Sequence, residues 1–314
     1  FKYLIITQCN ALSNVLPGMF QKIADYTELL FPDNLLREGS VVERMITDIP
    51  EKDWNVEEGG QIEIIGWLYQ YYMSEKHEKV VNAIGKKTVE KEDIPAATEL
   101  FTPDWVVRYI IDNSVGRYWI ERNSNSNLKN VLEYFVAPKD GNISIVNEKI
   151  TPEQLTVFDP CMGSAHFGVY AFDVLEKIYT EYGYTEREAA ALIVQNNLFG
   201  LDIDERAAQL ASFAITMKAI QYDKRFLKRG IQPHFYEIKE SNHVDPFTVD
   251  YFANGNASLK RDIQSIINDT KDAKEYGSII QIKPVDFNAL FERFDEIKDD
   301  ISLSQIDALN NRAI

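Results

Sequence analysis

The stretch at residues 156–168, TVFDPCMGSAHFG, constrains the fold more than any other part of the chain. An apolar run ends at Asp159-Pro160, small residues follow, and a long helical pattern begins directly afterwards. In a parallel α/β sheet, a strand, a tight turn and a helix start in this order place ligands beyond the carboxyl end of the strand. The stretch therefore predicts a ligand-binding corner of an α/β fold.

Further strands and helices alternate after this corner. NLFGLDID and HFYEIKESN are typical of strands, and the segments between the strands, such as ERAAQLASFAITMKAIQYD, have helical spacing. Alternation of this kind predicts an α/β fold with a parallel sheet whose two faces are both covered.

The remainder of the chain divides into segments that differ in helical pattern and charge. Residues 1–95 are predicted to form an N-terminal helical domain, which ends in a charged connector, KKTVEKEDIP. A helix is expected after FTPDW, with Thr102 as its cap and Pro103 in the first helical position. Residues 96–290 are then the α/β core, and residues 291–314 an acidic amphipathic segment.

Charge and composition limit the class of protein. The formal net charge of −16 argues against a surface that is wholly devoted to binding DNA. The two cysteines and four histidines show no metal-ligand spacing, and no apolar run is long enough to span a bilayer. We expect a reduced cytoplasmic protein with no metal and no membrane partner. Because the chain begins with Phe1, we also expect it to be a fragment.

The first corner favours a ligand that carries both charges. Asp159 favours a cation, Pro160 ends the strand, and Cys161, Gly163 and Ser164 form a turn that lets backbone approach a ligand. The helix start that follows favours an anion. The amino-acid part of S-adenosylmethionine satisfies the pair. An ordinary strand–turn–helix is the alternative, and a dinucleotide is disfavoured because the spacing is not G-x-G-x-x-G.

The two later strands supply the remaining contacts. Asp202 ends the second strand, where a carboxylate accepts hydrogen bonds from ribose hydroxyls, and Ile203 offers an apolar surface to adenine. Asp204 is better placed as the cap of the next helix. One of the polar residues at 240–242, for which we take Asn242, is expected at the adenine edge.

Three motifs together resemble the adenine-specific DNA methyltransferases. FTPDWVVRYIIDN is similar to the leading motif of that family, DPCMGSAHF to its cofactor loop, and GLDID to its ribose-binding strand. The resemblance implies that Phe101, Thr102 and Pro103 close over the methionine end of the cofactor. The order of the motifs is that of the gamma-type N6-adenine enzymes.

A closer resemblance covers roughly residues 54–282. GWLYQYYMSEK, NNLFGLDIDERAAQLASFAITMKA and DAKEYGSI are similar to the methyltransferase of the bacteriophage-exclusion (BREX, or phage-growth-limitation) defence systems. It implies a Rossmann-like sheet that uses S-adenosylmethionine to methylate a flipped adenine in double-stranded DNA, together with other defence proteins as partners. Single-chain restriction–modification enzymes share this core.

Two departures from the family pattern matter. Ala165 stands where the family usually has glycine, which costs little only if its φ is negative. The catalytic Asn/Asp-Pro-Pro-Tyr/Phe motif is absent, since the chain contains no Pro-Pro pair, and Asp245-Pro246-Phe247 is read as a turn. We therefore predict no catalytic residue here, and a chain that binds cofactor but is inactive alone, with its DNA contacts in missing parts.

Two other functions stay open at this point. One is a methyltransferase that acts on RNA or protein. The other is a non-enzymatic cofactor-binding scaffold in a defence complex, which docks through residues 1–95. A nucleotide-dependent dehydrogenase is disfavoured by the spacing of the turn.

Overall fold

In a computed structural model of the chain, the structure describes residues 1–20, 22–23, 28–29, 34–55, 62, 64–84, 88–98 and 102–298. The helices of this part are α1 Lys2–Leu12, α2 Val41–Asp48, α3 Glu51–Trp54, α4 Ile64–Ala83, α5 Ile94–Thr98, α6 Asp104–Ile111, α7 Arg117–Arg122, α8 His166–Tyr182, α9 Glu186–Leu192, α10 Glu205–Tyr222, α11 Pro246–Ala253, α12 Ala257–Asp269, α13 Ala273–Tyr276 and α14 Phe287–Ile297. The strands are β1 Val157–Asp159, β2 Leu198–Asp202 and β3 His234–Glu237. Short 3-10 turns lie at Lys91–Asp93, Leu128–Asn130, Pro152–Gln154, Phe226–Arg229 and Gly277–Ile279, and π-helical turns at Asp112–Gly116 and Ile193–Asn197.

The sheet is parallel, with the strand order β1-β2-β3. The chain therefore moves across it in one direction, and right-handed crossovers then place every connecting helix on the same face. Helices α8 and α10 accordingly pack together on that face. The prediction that both faces are covered is wrong for the described residues, because Phe158 and Tyr236 on the other face are 59% and 56% exposed.

The core lies between the sheet and helix α8. Phe172, Leu175, Ile178 and Tyr179 recur at helical spacing and are fully buried. This period is what drives α8 against the strands, since only one stripe of an amphipathic helix can face a sheet. The N-terminus of α8 is thereby fixed over the carboxyl ends of β1 and β2.

Of the helix starts predicted from the sequence, the Asp204 cap is confirmed, whereas the start at Thr102 and Pro103 is wrong, because Pro103 precedes the first helical residue, Asp104, instead of occupying that position. Asp204 caps α10, since its Oδ1 accepts the backbone N–H of Arg206. Thr185 caps α9 in a reciprocal pair with Glu188. Thr102 does not cap α6, because the extended residue at the helix start is Pro103, which has no side-chain acceptor.

The N-terminal helices pack on the α/β core. Tyr69 and Met73 of α4, Ala96 of α5 and Ala207 of α10 form one buried cluster. Helix α5 crosses position 95, and the predicted connector contains a 3-10 turn at Lys91–Asp93. The division into a helical domain, a core and a C-terminal segment stays a prediction. Residues 299–314 of the last segment lie outside the described residues.

No helix in the described ranges combines the length and the apolar character that crossing a bilayer requires.

Candidate functional site

The turn after β1 is built from left-handed backbone. Gly163 has a φ of 54° and Ala165 a φ of 67°, and Ala165 donates its N–H to the Met162 carbonyl over 2.8 Å. Alanine would cost little at this position only if its φ were negative, whereas the observed φ is positive. An L-residue in this conformation costs about 1–2 kcal/mol. The turn accepts that strain because the chain must reverse within three residues to begin α8.

The corners after β1 and β2 are joined directly. The backbone N–H of Gly163 donates to Oδ2 of Asp202 over 2.8 Å, and the N–H of Asp204 donates to Oδ1 of Asp202 over 2.8 Å. Met162 adds a backbone hydrogen bond to the Leu201 carbonyl. One carboxylate thus holds both turns, and it still has a second lone pair on each oxygen.

Gly200 of GLDID makes this close approach possible. A Cβ atom on Gly200 would lie 2.4 Å from Sδ of Met162 and 2.8 Å from Cδ1 of Phe235. Both distances are far shorter than carbon contacts allow, so any side chain at this position would displace the side chains of Met162 and Phe235.

A cavity of ≈ 510 Å³ opens between the joined corners. Seven of the predicted residues line it: Thr102, Pro160, Cys161, Gly163, Ser164, Asp202 and Ile203. Its volume is in the range of small-molecule sites. Three predicted residues do not line it, namely Pro103, Asp159 and Asn242, and Phe101 lies outside the described residues.

Burial changes the electrostatics of both strand-end carboxylates. It raises the pKa of Asp202, with a further contribution from the neighbouring charges of Asp204 and Asp159, although hydrogen bonds from two backbone N–H groups oppose the rise. Burial also raises the pKa of Asp159, whose Oδ1 accepts the N–H of Cys161 over 3.0 Å. Both pKa values are raised because the two carboxyl groups have lost part of their contact with water.

The expectation for Asn242 does not fit the geometry. Strand β3 ends at Glu237, so the chain has left the sheet before it reaches residue 242. The side chain of Asn242 instead makes two hydrogen bonds with Asp272, of 2.7 and 2.8 Å.

The other polar residues of this stretch are also engaged elsewhere. Ser241 donates to the Ile267 carbonyl, and Glu240 forms an ion pair with Lys91.

Helix α4 packs against the two turns that bound the cavity. A Cβ atom on Gly66 would lie 2.6 Å from Oγ of Ser164, so α4 touches the turn after β1. Tyr69 donates its hydroxyl to Oδ2 of Asp204 over 2.6 Å, so α4 also touches the turn after β2. Oγ of Ser164 is buried with no hydrogen-bond partner among the described residues.

The sequence-based search missed several lining residues, which come from α5, α8, α10 and the segment around α13: Ile94, Pro95, Thr98, Met162, His166, Phe167, Asp204, Ala207, Lys274, Glu275, Tyr276, Gly277 and Ser278. The sequence held one indication of residues 274–278. The segment DAKEYGSI is similar to the BREX methyltransferases, although that resemblance assigned no role to it.

A second cavity of ≈ 700 Å³ adjoins the first and shares Thr102 and His166 with it. Its charged side chains are paired within the protein: Arg108 with Asp104 at 2.7 Å and Lys218 with Asp173 at 2.8 Å. Within the described ranges, no group of three or more His, Cys, Asp or Glu side chains has a metal-binding arrangement.

Comparison with known proteins agrees with the motifs. A sequence model of the N-6 DNA methylase family matches residues 114–273, slightly more than half of the chain. The adenine-specific methyltransferase BrxX of Escherichia coli O9:H4 (strain HS) is 39% identical over 318 residues, which cover 92% of this chain and 26% of that protein. The adenine-specific methyltransferase PglX of Lacticaseibacillus casei (strain Zhang) is 43% identical, with 76% and 20% covered.

A more distant relative is a putative type II restriction enzyme and methyltransferase of Methanocaldococcus jannaschii. It is 25% identical over 193 residues, which cover 54% of this chain and 15% of that protein. The resemblance to adenine-specific methyltransferases of the BrxX and PglX kind is confirmed by these relatives. The chain spans about a quarter of the length of the first relative and a fifth of the second.

Proposed function

Because the chain belongs to the N-6 DNA methylase family, we propose that it is the S-adenosylmethionine-binding part of a site-specific DNA adenine N6-methyltransferase. The system is a BREX-like phage defence or a restriction–modification system, and the location is the cytoplasm. The observation that carries the proposal is the cavity enclosed by the turn after β1 and the Asp202 carboxylate. DNA and other defence proteins are the proposed partners of the whole protein.

The described residues suit each part of that cofactor. The Asp202 carboxylate keeps a lone pair on each oxygen for the ribose hydroxyls, and Ile203 offers its side chain to the adenine ring. The first turn of α8 has no side-chain cap, which leaves its N–H groups suited to the carboxylate of the methionine end. Oγ of Ser164 is a further polar atom without a partner in the described part of the chain.

The reaction needs a second half that this chain does not supply. The cofactor provides an activated methyl group, and the target adenine has to leave the duplex to reach it. The nitrogen N6 is a weak nucleophile, so catalysis depends on positioning and on acceptors for its N–H groups. The Pro-Pro motif that would provide them is absent from the sequence.

The strand order and the exposed face of the sheet support the proposal that another part of the protein supplies the second half of the site. The order β1-β2-β3 is the order of one half of a Rossmann sheet, in which a fourth strand would pair with the open edge of β1. Phe158 and Tyr236 are exposed on the face that helices of a second half would cover. We propose that the base pocket and the recognition domain belong to such further parts of the protein.

Titration calorimetry tests the proposal. S-adenosylmethionine is expected to bind, NAD is expected not to bind, and Asp202→Ala is expected to weaken the first affinity by at least about tenfold, because it removes the acceptor of both ribose hydroxyls. Asp140→Ala, a loop aspartate away from the cavity, is the matched control. Unchanged affinity in Asp202→Ala would defeat the assignment of the site.

A methyl-transfer assay tests the second half of the proposal. Labelled S-adenosylmethionine and adenine-containing DNA are expected to give no methylated product with this chain. Robust methyl transfer would contradict the proposal that the acceptors for N6 lie elsewhere.

A further inference from the structure

One wall of the cavity comes from a segment that the family comparison does not include. Residues 274–278, the part of DAKEYGSI that follows Ala273, line the cavity, whereas the match to the family ends at residue 273. These residues form α13 and the turn after it. They line the cavity together with the turns after β1 and β2.

The turn after α13 has a conformation that only glycine adopts easily. Gly277 has a φ of 54° and a ψ of −131°. A Cβ atom placed on it would lie 3.8 Å from Cγ2 of Ile203, the residue proposed to contact adenine. The wall therefore meets the adenosine end of the cavity rather than the methionine end.

Two lysines fasten this wall to the rest of the protein: Lys274 of α13 forms an ion pair with Glu237 at the end of β3, and Lys91 pairs with three carboxylates. Nζ of Lys91 lies 2.9 Å from Glu240, 3.2 Å from Glu275 and 3.5 Å from Asp272. Asp272 and Glu275 belong to the wall segment or flank it, and Glu240 follows β3. Asn242, which the sequence placed at the adenine edge, supports the same group through Asp272.

The charges around Lys91 make it more than an ordinary surface ion pair. Exposed pairs contribute little, but Lys91 is half-buried and faces three carboxylates at once. The hydrogen bond to Glu240 is the main cause of the raised pKa of Lys91. Removal of this cation would take away the partner that the three carboxylates share and would loosen α13, which would then keep the Lys274–Glu237 ion pair.

The position of Lys91 in the chain links two walls. It opens the 3-10 turn Lys91–Asp93, which runs directly into α5, and Ile94, Pro95 and Thr98 of α5 line the same cavity. We propose that Lys91 is a positioning residue, which clamps α5 and residues 274–278 together around the adenosine end of the bound cofactor. This inference rests on the proposed function, because it concerns the affinity of the same site.

The test separates the two ends of the ligand. S-adenosylmethionine and 5′-methylthioadenosine, which lacks the amino-acid part, are titrated into the chain and into Lys91→Met. Both affinities are expected to fall by about tenfold, since the clamp acts on the nucleoside that both ligands share. Lys91→Arg is expected to restore most of the affinity, because it keeps the cation.

Lys76→Met is the matched control, because Lys76 pairs with Asp93 of the same 3-10 turn at 3.1 Å, whereas only Lys91 of the two also pairs with Asp272 and Glu275. It is expected to leave both affinities unchanged. Thermal unfolding of each variant shows whether the fold persists.

Three results would overturn the inference. They are unchanged affinity in Lys91→Met, a loss confined to S-adenosylmethionine, and an equal loss in Lys76→Met. Failure of the unsubstituted chain to bind either ligand would instead contradict the proposed function, and the inference with it.

Discussion

The cavity has a floor and a cover that are built in different ways. The floor, residues 160–164 and 202–204, lies within the span matched by the family and is tied by backbone N–H groups to one carboxylate. The cover consists of α5 and residues 274–278. Helix α4 packs against the floor without lining the cavity. These three segments lie outside that span and are held by side chains. A floor fixed by backbone is coupled to folding, whereas a cover held by side chains can change affinity with the fold intact.

The largest effect is expected in the floor. Gly200→Ala places a Cβ atom into Met162 and Phe235, which should destabilise the fold by about 1–3 kcal/mol and abolish measurable cofactor binding. Urea unfolding and calorimetry measure the two effects, and Met162→Ala in the same chain should recover part of both. A Gly200→Ala protein that is stable and binds the cofactor normally would contradict the proposed coupling between the floor and the stability of the fold.

Acidity should weaken binding before it unfolds the protein. The raised pKa values of Asp202 and Asp159 mean that these acids take up protons above about pH 4, where ordinary aspartates titrate. Ribose hydroxyls need the ionised form of Asp202, so affinity should fall as the pH drops through its raised pKa, by up to about tenfold per pH unit.

Protonation of Asp202 and Asp159 affects the stability of the fold in the opposite direction to its effect on binding. The folded protein binds their protons more tightly than the unfolded chain, so their contribution is present in full below the ordinary pKa and is lost as the pH rises through the raised one. Calorimetry and urea unfolding over one pH series check both signs. A cofactor affinity that begins to fall only below the pH range in which ordinary aspartates titrate would contradict the raised pKa values.

A smaller effect is expected at α4, which packs against the floor. Tyr69→Phe removes the hydroxyl that donates to Asp204, and affinity should fall by about threefold to tenfold while the unfolding midpoint changes little. Tyr72→Phe is the matched control, since Tyr72 lies one turn along α4 and is 67% exposed. An equal fall in both variants, or in neither, would show that α4 does not act on the site through this bond.

The smallest effect concerns strain in the floor. Ala165→Gly relieves a left-handed conformation worth about 1–2 kcal/mol but makes the unfolded chain freer, so a net stabilisation of up to about 1 kcal/mol is expected. Ala171→Gly, a buried position in the interior of α8, should instead destabilise by about 1 kcal/mol. Urea unfolding of both variants checks the difference in sign.

The floor could be predicted because its physics is local. A strand end, a proline and small residues before a helix have one common use in an α/β sheet, and the Gly163–Asp202 hydrogen bond follows from adjacent parallel strands. The positive φ at Ala165 was not predictable, since it depends on how sharply the chain reverses into α8.

The cover was not predictable for a different reason. Lys91 lies in a charged stretch that is typical of a connector, and its partners are about 150 to 180 residues away in sequence. Asn242 was assigned to the adenine edge because the strand pattern was taken to continue to residue 242, whereas β3 ends at Glu237. Contacts between distant segments leave no periodic signal in the sequence.

Hydrogen–deuterium exchange with and without S-adenosylmethionine tests most directly whether floor and cover enclose one cofactor. We predict slower exchange in peptides from the floor and in residues 272–279 of the cover, with no change in α11, which does not line the cavity. Protection of the floor alone would contradict the role of the cover, and no protection at saturating cofactor would contradict the site itself.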